Sequence, residues 1–331
     1  MQRPELSKPL QKYLELLDVD AGRLLESYAR PIPEAFRVNT LKTNDKAVIS
    51  ALEGRGYVLK RIPWTQHGYA VEHGNDRLST SLEATSGLIY IQGPVSMAVP
   101  EVLGPVCGES VLDMCAAPGS KSTQILQMLG GIRDSTCTGR VSLIRVLGSE
   151  GELVANEPSA RARSLVHNLK NSGATNYRIT NINGRSMYRK YSGRFDRVLI
   201  DAPCSGLGAV SKDWTIARDW KPVHSRRLAQ IQAGLLYSGY RCLKPGGVLV
   251  YSTCTFTFEE NEDVVRKLLK KYDARMMDID LNELPHRGGI TEWGGRKFPP
   301  ELAKCIRIYP YDSGAEGFFI AKIMKPETAV E

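Results

Sequence analysis

Val111-Leu112-Asp113-Met114-Cys115-Ala116-Ala117-Pro118-Gly119-Ser120-Lys121 reads as a buried strand, a turn of small residues and the start of a helix reaching Leu129. The apolar part does not alternate with polar residues, which is the pattern of a strand covered on both faces in a parallel sheet. The unit then repeats. Leu153-Val154-Ala155-Asn156-Glu157 is a second strand, followed by a helix carrying Arg163, Val166 and Leu169. Tyr177 to Ile182 is a third strand, and Asp196-Arg197-Val198-Leu199-Ile200-Asp201 a fourth. A long helix around Leu228 to Cys242 leads to Leu243-Lys244-Pro245-Gly246-Gly247, where Pro-Gly predicts a tight turn into strand Val248-Leu249-Val250-Tyr251. Glu259-Glu260-Asn261-Glu262 starts a helix with acids at its positive end. Cys305 to Tyr309 and Gly317 to Ile323 predict a closing hairpin. Strands alternating with helices give an α/β fold around a parallel sheet.

One stretch breaks this rhythm. Gly130 to Ser149 sits where a connection of about 2–6 residues is usual, and Val141 to Leu147 suits a strand or a helical turn equally. Upstream, leucines 10, 14, 17, 24 and 25 fall at helical spacing with Gly22 between the two runs, and Pro31 and Pro33 end them. Phe36-Arg37-Val38-Asn39-Thr40, a helix capped at Asn44-Asp45 and Gly56-Tyr57-Val58-Leu59-Lys60 form a β-α-β beginning to a small mixed domain ending near residue 90.

The 331 residues carry a formal net charge of +8, which favours an anionic partner without naming it. Seven scattered cysteines form no Cys-x-x-Cys pair and the five histidines are equally dispersed, so no metal site is expected. The odd cysteine count fits a reducing compartment, and no apolar segment follows the N-terminus as in a signal peptide. Prolines and Gln92 interrupt the most apolar stretch, Leu88 to Cys107, which excludes it as a membrane span. A soluble cytoplasmic protein is expected, or a nuclear one if eukaryotic.

Chemistry in a parallel sheet collects outside the carboxyl ends of its strands. Asp201-Ala202-Pro203-Cys204 and Ser252-Thr253-Cys254-Thr255 each put a cysteine just past such an end. Neighbouring strands lie about 5 Å apart, so both sulfurs face one substrate if these strands pair. A lone cysteine is usually packing; two at adjacent strand ends beside a carboxylate suggest covalent chemistry. The turn Ala116 to Gly119 lets a cofactor approach the backbone at a helix N-terminus, although bare strand-turn-helix packing reads the same way. Glu157, at the next strand's end, is placed to accept hydrogen bonds from a ribose diol or to be a solvated acid.

The segments 113–121, Asp201 to Gly206 and Tyr251 to Thr255 together resemble the Nop/Sun family of RNA cytosine-5 methyltransferases. Phe36 to Thr40, Gln92 with Ser96, Leu243 to Gly247 and Gly317-Phe318-Phe319 add to the resemblance, which spans residues 36–325 in family order. The resemblance implies a Rossmann-like class I methyltransferase sheet (93–326) after a small N-terminal RRM-like α+β domain (1–92), with a tail at 327–331. It implies S-adenosylmethionine as cofactor, held by Asp113, Cys115, Ala116, Ala117, Pro118, Gly119, Lys121, Glu157 and Asp201. Asn183 stands where an aspartate near the adenine is usual. The resemblance assigns Cys254 as nucleophile at cytosine carbon 6 and Cys204 to the release step. Asp201 would bind the cytosine edge, with Lys121 as electrostatic partner. The substrate expected is tRNA, or ribosomal RNA as the alternative, and the expected state is a monomer. Arg37 and Lys42 are candidate phosphate contacts. The rivals are a methyltransferase acting on a nitrogen or oxygen atom, which needs no thiol, and a non-catalytic RNA-binding or assembly factor.

Overall fold

The structure, a computed structural model, describes residues 6–74, 76–130 and 151–327. Of the 130–149 insertion all but Gly130 lies outside the described residues.

Helices α1 (Lys8–Leu16) and α2 (Ala21–Ala29) bear the N-terminal leucines. Ser7 caps α1, accepting from the Leu10 N–H at 3.2 Å, and Asp20 caps α2, accepting from Arg23 at 3.0 Å. The break therefore falls ahead of Asp20, and Gly22 lies inside α2, because aspartate supplies a capping acceptor and glycine has none. Leu10, Tyr13, Leu24 and Tyr28 pack against Leu207, Trp220, Phe256 and Tyr309 of the larger domain.

The small sheet holds β1 (Ala35–Val38), β2 (Val58–Arg61), β3 (Gly68–His73) and β4 (Ile89–Ile91), with α3 (Asp45–Glu53) after β1 and a turn α4 (Leu82–Thr85) before β4. Its order is β2-β3-β1-β4 with every pair antiparallel, the split β-α-β arrangement of an RRM-like domain. Sequence reading missed β3 and β4, a strand without clean alternation and one of three residues. Phe36 and Val38 pack on Val48 and Leu52 of α3, while Ala35 faces Met97 in α5 (Pro94–Leu103). Arg37 on that second face is buried. It donates to Thr123 at 2.8 Å, to Gln92 at 3.4 Å and to Gln127, the first and last on α6 (Ser120–Leu129). Burial lowers its pKa to about 10. The expected phosphate contact at Arg37 is thus overturned: its guanidinium pins the small sheet to the large domain, covering the face on which RRM sheets stack bases.

Among the described residues the large sheet has nine strands. β5 (Val111–Asp113), β6 (Leu153–Asn156), β7 (Tyr177–Thr180), β8 (Phe195–Asp201) and β9 (Leu243–Thr253) run parallel in the order β7-β6-β5-β8-β9. β10 (Arg275–Met276), β11 (Arg287–Gly288), β14 (Ile306–Ile308) and β15 (Phe318–Met324) complete it, with β15 antiparallel to β9 and to β14 as the closing hairpin predicts. A separate ribbon pairs β12 (Glu292–Trp293) with β13 (Arg296–Lys297). The order reverses at β5, opening a crevice at its carboxyl end. One face packs Leu112, Leu236, Tyr240 and Val264; the other packs Val111, Ile125, Leu165 and Val250.

Pro245-Gly246-Gly247 differs from expectation. Leu243 pairs with Phe195 but Val248 with Arg197, so the intervening residues bulge from a continuous strand. Gly246, at φ 75°, gives its N–H to Lys325 O at 2.8 Å, and Gly247 O accepts from Lys325 at 2.9 Å. Those bonds hold the bulge on the sheet instead of releasing it as a turn. Among the described residues no helix is long and apolar enough to cross a membrane.

Candidate active site

β8 and β9 are neighbours, with Asp201 opposite Ser252. Beyond them Cys204 Sγ and Cys254 Sγ lie 3.1 Å apart. Pro203 turns the first chain out of the ladder, and its carbonyl accepts from Gln232 Nε2 at 2.8 Å. The Gly208 N–H donates to Cys254 O at 2.8 Å, and Gly317 N–H to Gly208 O at 2.9 Å. A Cβ on Gly208 would collide with the Gly317 backbone, so only glycine allows this approach. The hydrogen bond between the sulfurs makes them unequal. Accepting from Cys204 holds Cys254 below the ordinary thiol value, against burial, with Lys121 helping. Donation to Cys254, and then burial, push Cys204 well up. Cys254 is the sulfur readier to act as thiolate.

Asp201 Oδ2 pairs with Lys121 Nζ at 2.7 Å, and its Oδ1 accepts from Ser252 Oγ at 2.8 Å. Lys121 also donates to Ser96 Oγ at 3.0 Å and lies 5.4 Å from the Phe318 ring centroid. A carboxylate and an ammonium in fixed orientation thus flank the thiol pair.

Around the β5 crevice Asp113 is buried, with Oδ2 accepting from Ser122 Oγ at 2.6 Å and Oδ1 lacking a partner among the described residues. Burial raises its pKa to about 6 against the Ser122 bond. A carboxyl whose folded pKa is raised contributes stability below its unfolded value near 4 and loses it as pH rises through about 6. Asp113→Asn is therefore expected to flatten the stability curve across that window and to gain up to about 3 kcal/mol near neutrality. Urea unfolding at several pH values checks this, and an unchanged slope would refute it.

Ala116 is buried and Ala117 and Pro118 rim the crevice, while Gly119, at φ 113°, begins α6 with no side-chain cap. Cys115 is half-buried, and burial followed by repulsion from Asp113 pushes its thiol up. Glu157 Oε1 accepts from Ser159 N and Oγ at 3.1 and 2.5 Å, and Oε2 pairs with Arg161 at 3.2 Å. Asn183 is exposed and caps a turn, its Oδ1 accepting from Arg185 N at 3.1 Å.

Sequence reasoning missed three supports. Asn156 is fully buried and ties the ends of three strands: it donates to Met114 O and Ile182 O and accepts from Thr180 Oγ1 and Ile182 N. Glu260, expected at a helix start, instead turns inward ahead of the helix Glu262–Lys271. It accepts from Ser205 N at 2.9 Å, Gln232 Nε2 at 3.0 Å and Thr257 Oγ1 at 2.9 Å, fixing both cysteine-bearing loops. Gln232 is the third, and a glutamine within a helix gave no signal. An interrupted strand end at Asn156 was the one available hint.

The profile of 16S rRNA methyltransferase RsmB/F matches residues 135–324, and that of the N-terminal domain of 16S rRNA methyltransferase RsmF matches residues 7–94. A tRNA (cytosine(49)-C(5))-methyltransferase of Pyrococcus abyssi is 37% identical over 324 residues, 97% of either chain. A 28S rRNA (cytosine-C(5))-methyltransferase of Mus musculus is 35% identical over 96% of this chain, which spans only 38% of that protein. The crystal structure of a methyltransferase homolog protein from Pyrococcus horikoshii is 32% identical, with a TM-score of 0.79, over 95% of this chain and 93% of the other.

Proposed function

This chain belongs to the RsmB/F methyltransferase family, the Nop/Sun RNA cytosine-C5 methyltransferases, and from that premise we propose that it transfers the methyl group of S-adenosylmethionine to carbon 5 of a cytosine in tRNA. The observation that carries this reading is the thiol pair at 3.1 Å beside the Asp201–Lys121 ion pair.

The crevice residues fit the cofactor. Asp113 Oδ1, a buried acceptor without a partner among the described residues, suits an amino group; Glu157 suits a ribose diol, sharing its oxygens with Ser159 and Arg161. Ala116 to Gly119 leave room at the start of α6, and the Asn183 oxygen retains a lone pair for an amine. Bound there, the cofactor supplies an electrophilic methyl group.

Carbon 5 of cytosine is a weak nucleophile. Addition of the Cys254 thiolate at carbon 6 forms a C–S bond, and the displaced ring pair makes carbon 5 enamine-like. Lys121 stabilises the charge that moves onto the ring, and Asp201 holds the base by its amine edge. Once carbon 5 is methylated, Cys204, having passed its own thiol proton to water, takes the carbon-5 proton directly or through one water. The C–H pair re-forms the C5–C6 double bond, and the C–S bond breaks with its electrons returning to Cys254. The base must leave any stack to reach these sulfurs, which favours loops or a flipped nucleotide.

The tRNA assignment is supported by a relative matched along 97% of both chains; an rRNA substrate is the second reading, favoured by the 16S rRNA family profile. Labelled cofactor incubated with tRNA and with ribosomal RNA, followed by nucleoside analysis, tests both. The expected product is 5-methylcytidine in tRNA. Label confined to ribosomal RNA selects the second reading, and label on any other atom, or none, overturns the function.

A further inference from the structure

The long helix Pro222–Cys242 overshoots the sheet on which it packs. Gly239 lies against Val198, Ile200 and Leu249 in mid-sheet, and Gln232 is already level with the end of β8, bonded to Pro203 O. At about 1.5 Å per residue the segment before Gln232 continues roughly 15 Å past that level. Its first turns therefore stand beyond the mouth of the thiol site.

That overshoot has one buried and one open face. Ser225, Ala229 and Gln232 are buried, whereas Val223, Arg226, Arg227 and Gln230 share an exposed stripe at i, i+3, i+4 and i+7, with Val223 60% exposed. The helix contains no acidic residue. Among the described residues no carboxylate pairs with Arg226 or Arg227, and the acids just upstream are engaged, Asp213 by Thr215 and Asp219 by Arg218. Exposed Lys221 precedes the helix, and Ser7 Oγ donates to Trp220 O at 3.1 Å, bringing exposed Lys8 alongside.

Arg226 and Arg227 stand in the second turn of the helix, adjacent and exposed, with no carboxylate on the helix to neutralise them. Two like charges held side by side without internal compensation mark a surface that favours an anionic partner. The missing counter-charge matches an extended polyanion lying past the catalytic mouth.

We infer that Arg226 and Arg227, with Lys221 beside them, form a rail contacting the phosphates of the RNA strand that flanks the target cytosine. This rests on the reading of the chain as an RNA methyltransferase. The rail adds affinity and orientation, and leaves sequence choice to groups that touch the bases.

The test is a salt titration of binding to a tRNA that the wild-type protein methylates, repeated with Arg226→Gln/Arg227→Gln. The slope of log affinity against log salt should fall by about 0.7–0.9 for each phosphate no longer neutralised, with affinity near physiological salt down about tenfold or more. Arg226→Lys/Arg227→Lys should keep most of the slope. The melting temperature of the Gln variant should hold, because both arginines are exposed and pair with no carboxylate among the described residues. An unchanged slope, or a loss of affinity explained by unfolding, would overturn the rail. A wild-type protein that methylates no cytosine in RNA would instead overturn the underlying function.

Discussion

Cys204→Ala, incubated with substrate RNA and S-adenosylmethionine, is expected to accumulate a protein–RNA species that survives a denaturing gel. The two sulfurs lie 3.1 Å apart and are unequal, with Cys254 below and Cys204 above the ordinary thiol value. Removing Cys204 leaves a sulfur that can still add to carbon 6 but deletes the group that takes the carbon-5 proton. The adduct then forms and does not resolve, and turnover falls by about 10²–10⁴. Cys254→Ala is expected to give no adduct and to lose at least about 10⁴ in methyl transfer, the scale of deleting a nucleophile. The double variant should trap nothing. RNA trapped by the double variant would show that the roles are wrong. Activity retained in Cys254→Ala would restore a methyltransferase acting on nitrogen or oxygen, and absence of cofactor binding would restore a non-catalytic factor.

Arg307→Met is expected to cost about 3–5 kcal/mol of unfolding free energy. Arg307 is 2% exposed and Glu262 fully buried, and they pair bidentately, Nε to Oε1 at 2.6 Å and Nη2 to Oε2 at 2.5 Å. Arg307 also donates to Phe256 O at 2.7 Å, and Ile290 N–H reaches Glu262 at 2.9 Å. Deleting the guanidinium leaves a buried carboxylate with one backbone donor and frees the Phe256 carbonyl, close to the loop carrying Cys254. Arg307→Met/Glu262→Leu should recover much of the loss, because an uncompensated charge costs more than an absent pair. Urea unfolding of the three proteins measures this. A single-variant loss under about 1 kcal/mol would refute it.

Much of the large sheet was legible because its cues are local. The apolar residues at 111–112, 153–155 and 198–200 do not alternate with polar ones, as half-exposed strands would, and the first two strands lead into the helices Ser120–Leu129 and Ala162–Ser172. Where a cue depended on distant partners, the reading slipped. Pro245-Gly246-Gly247 has the composition of a turn, and only its bonds to Lys325 make it a bulge. Arg37 on a strand looks solvent-facing until α6 supplies Thr123 and Gln127. Glu260 looks like a helix-end acid until Ser205 and Gln232 arrive from other elements.

By itself the sequence determined the alternation of strands and helices, because apolar periodicity and turn chemistry are properties of neighbouring residues. It also determined that two cysteines and Asp201 stand at strand ends, since strand boundaries follow the same local rules. Only the tertiary structure decided that those strands pair in register, that one sulfur donates to the other, and that Lys121 meets Asp201. It alone decided which charges are buried and which, as at Arg226 and Arg227, stand exposed without a paired carboxylate among the described residues. Burial and hydrogen bonding between distant segments set those properties, and neither is a function of local sequence.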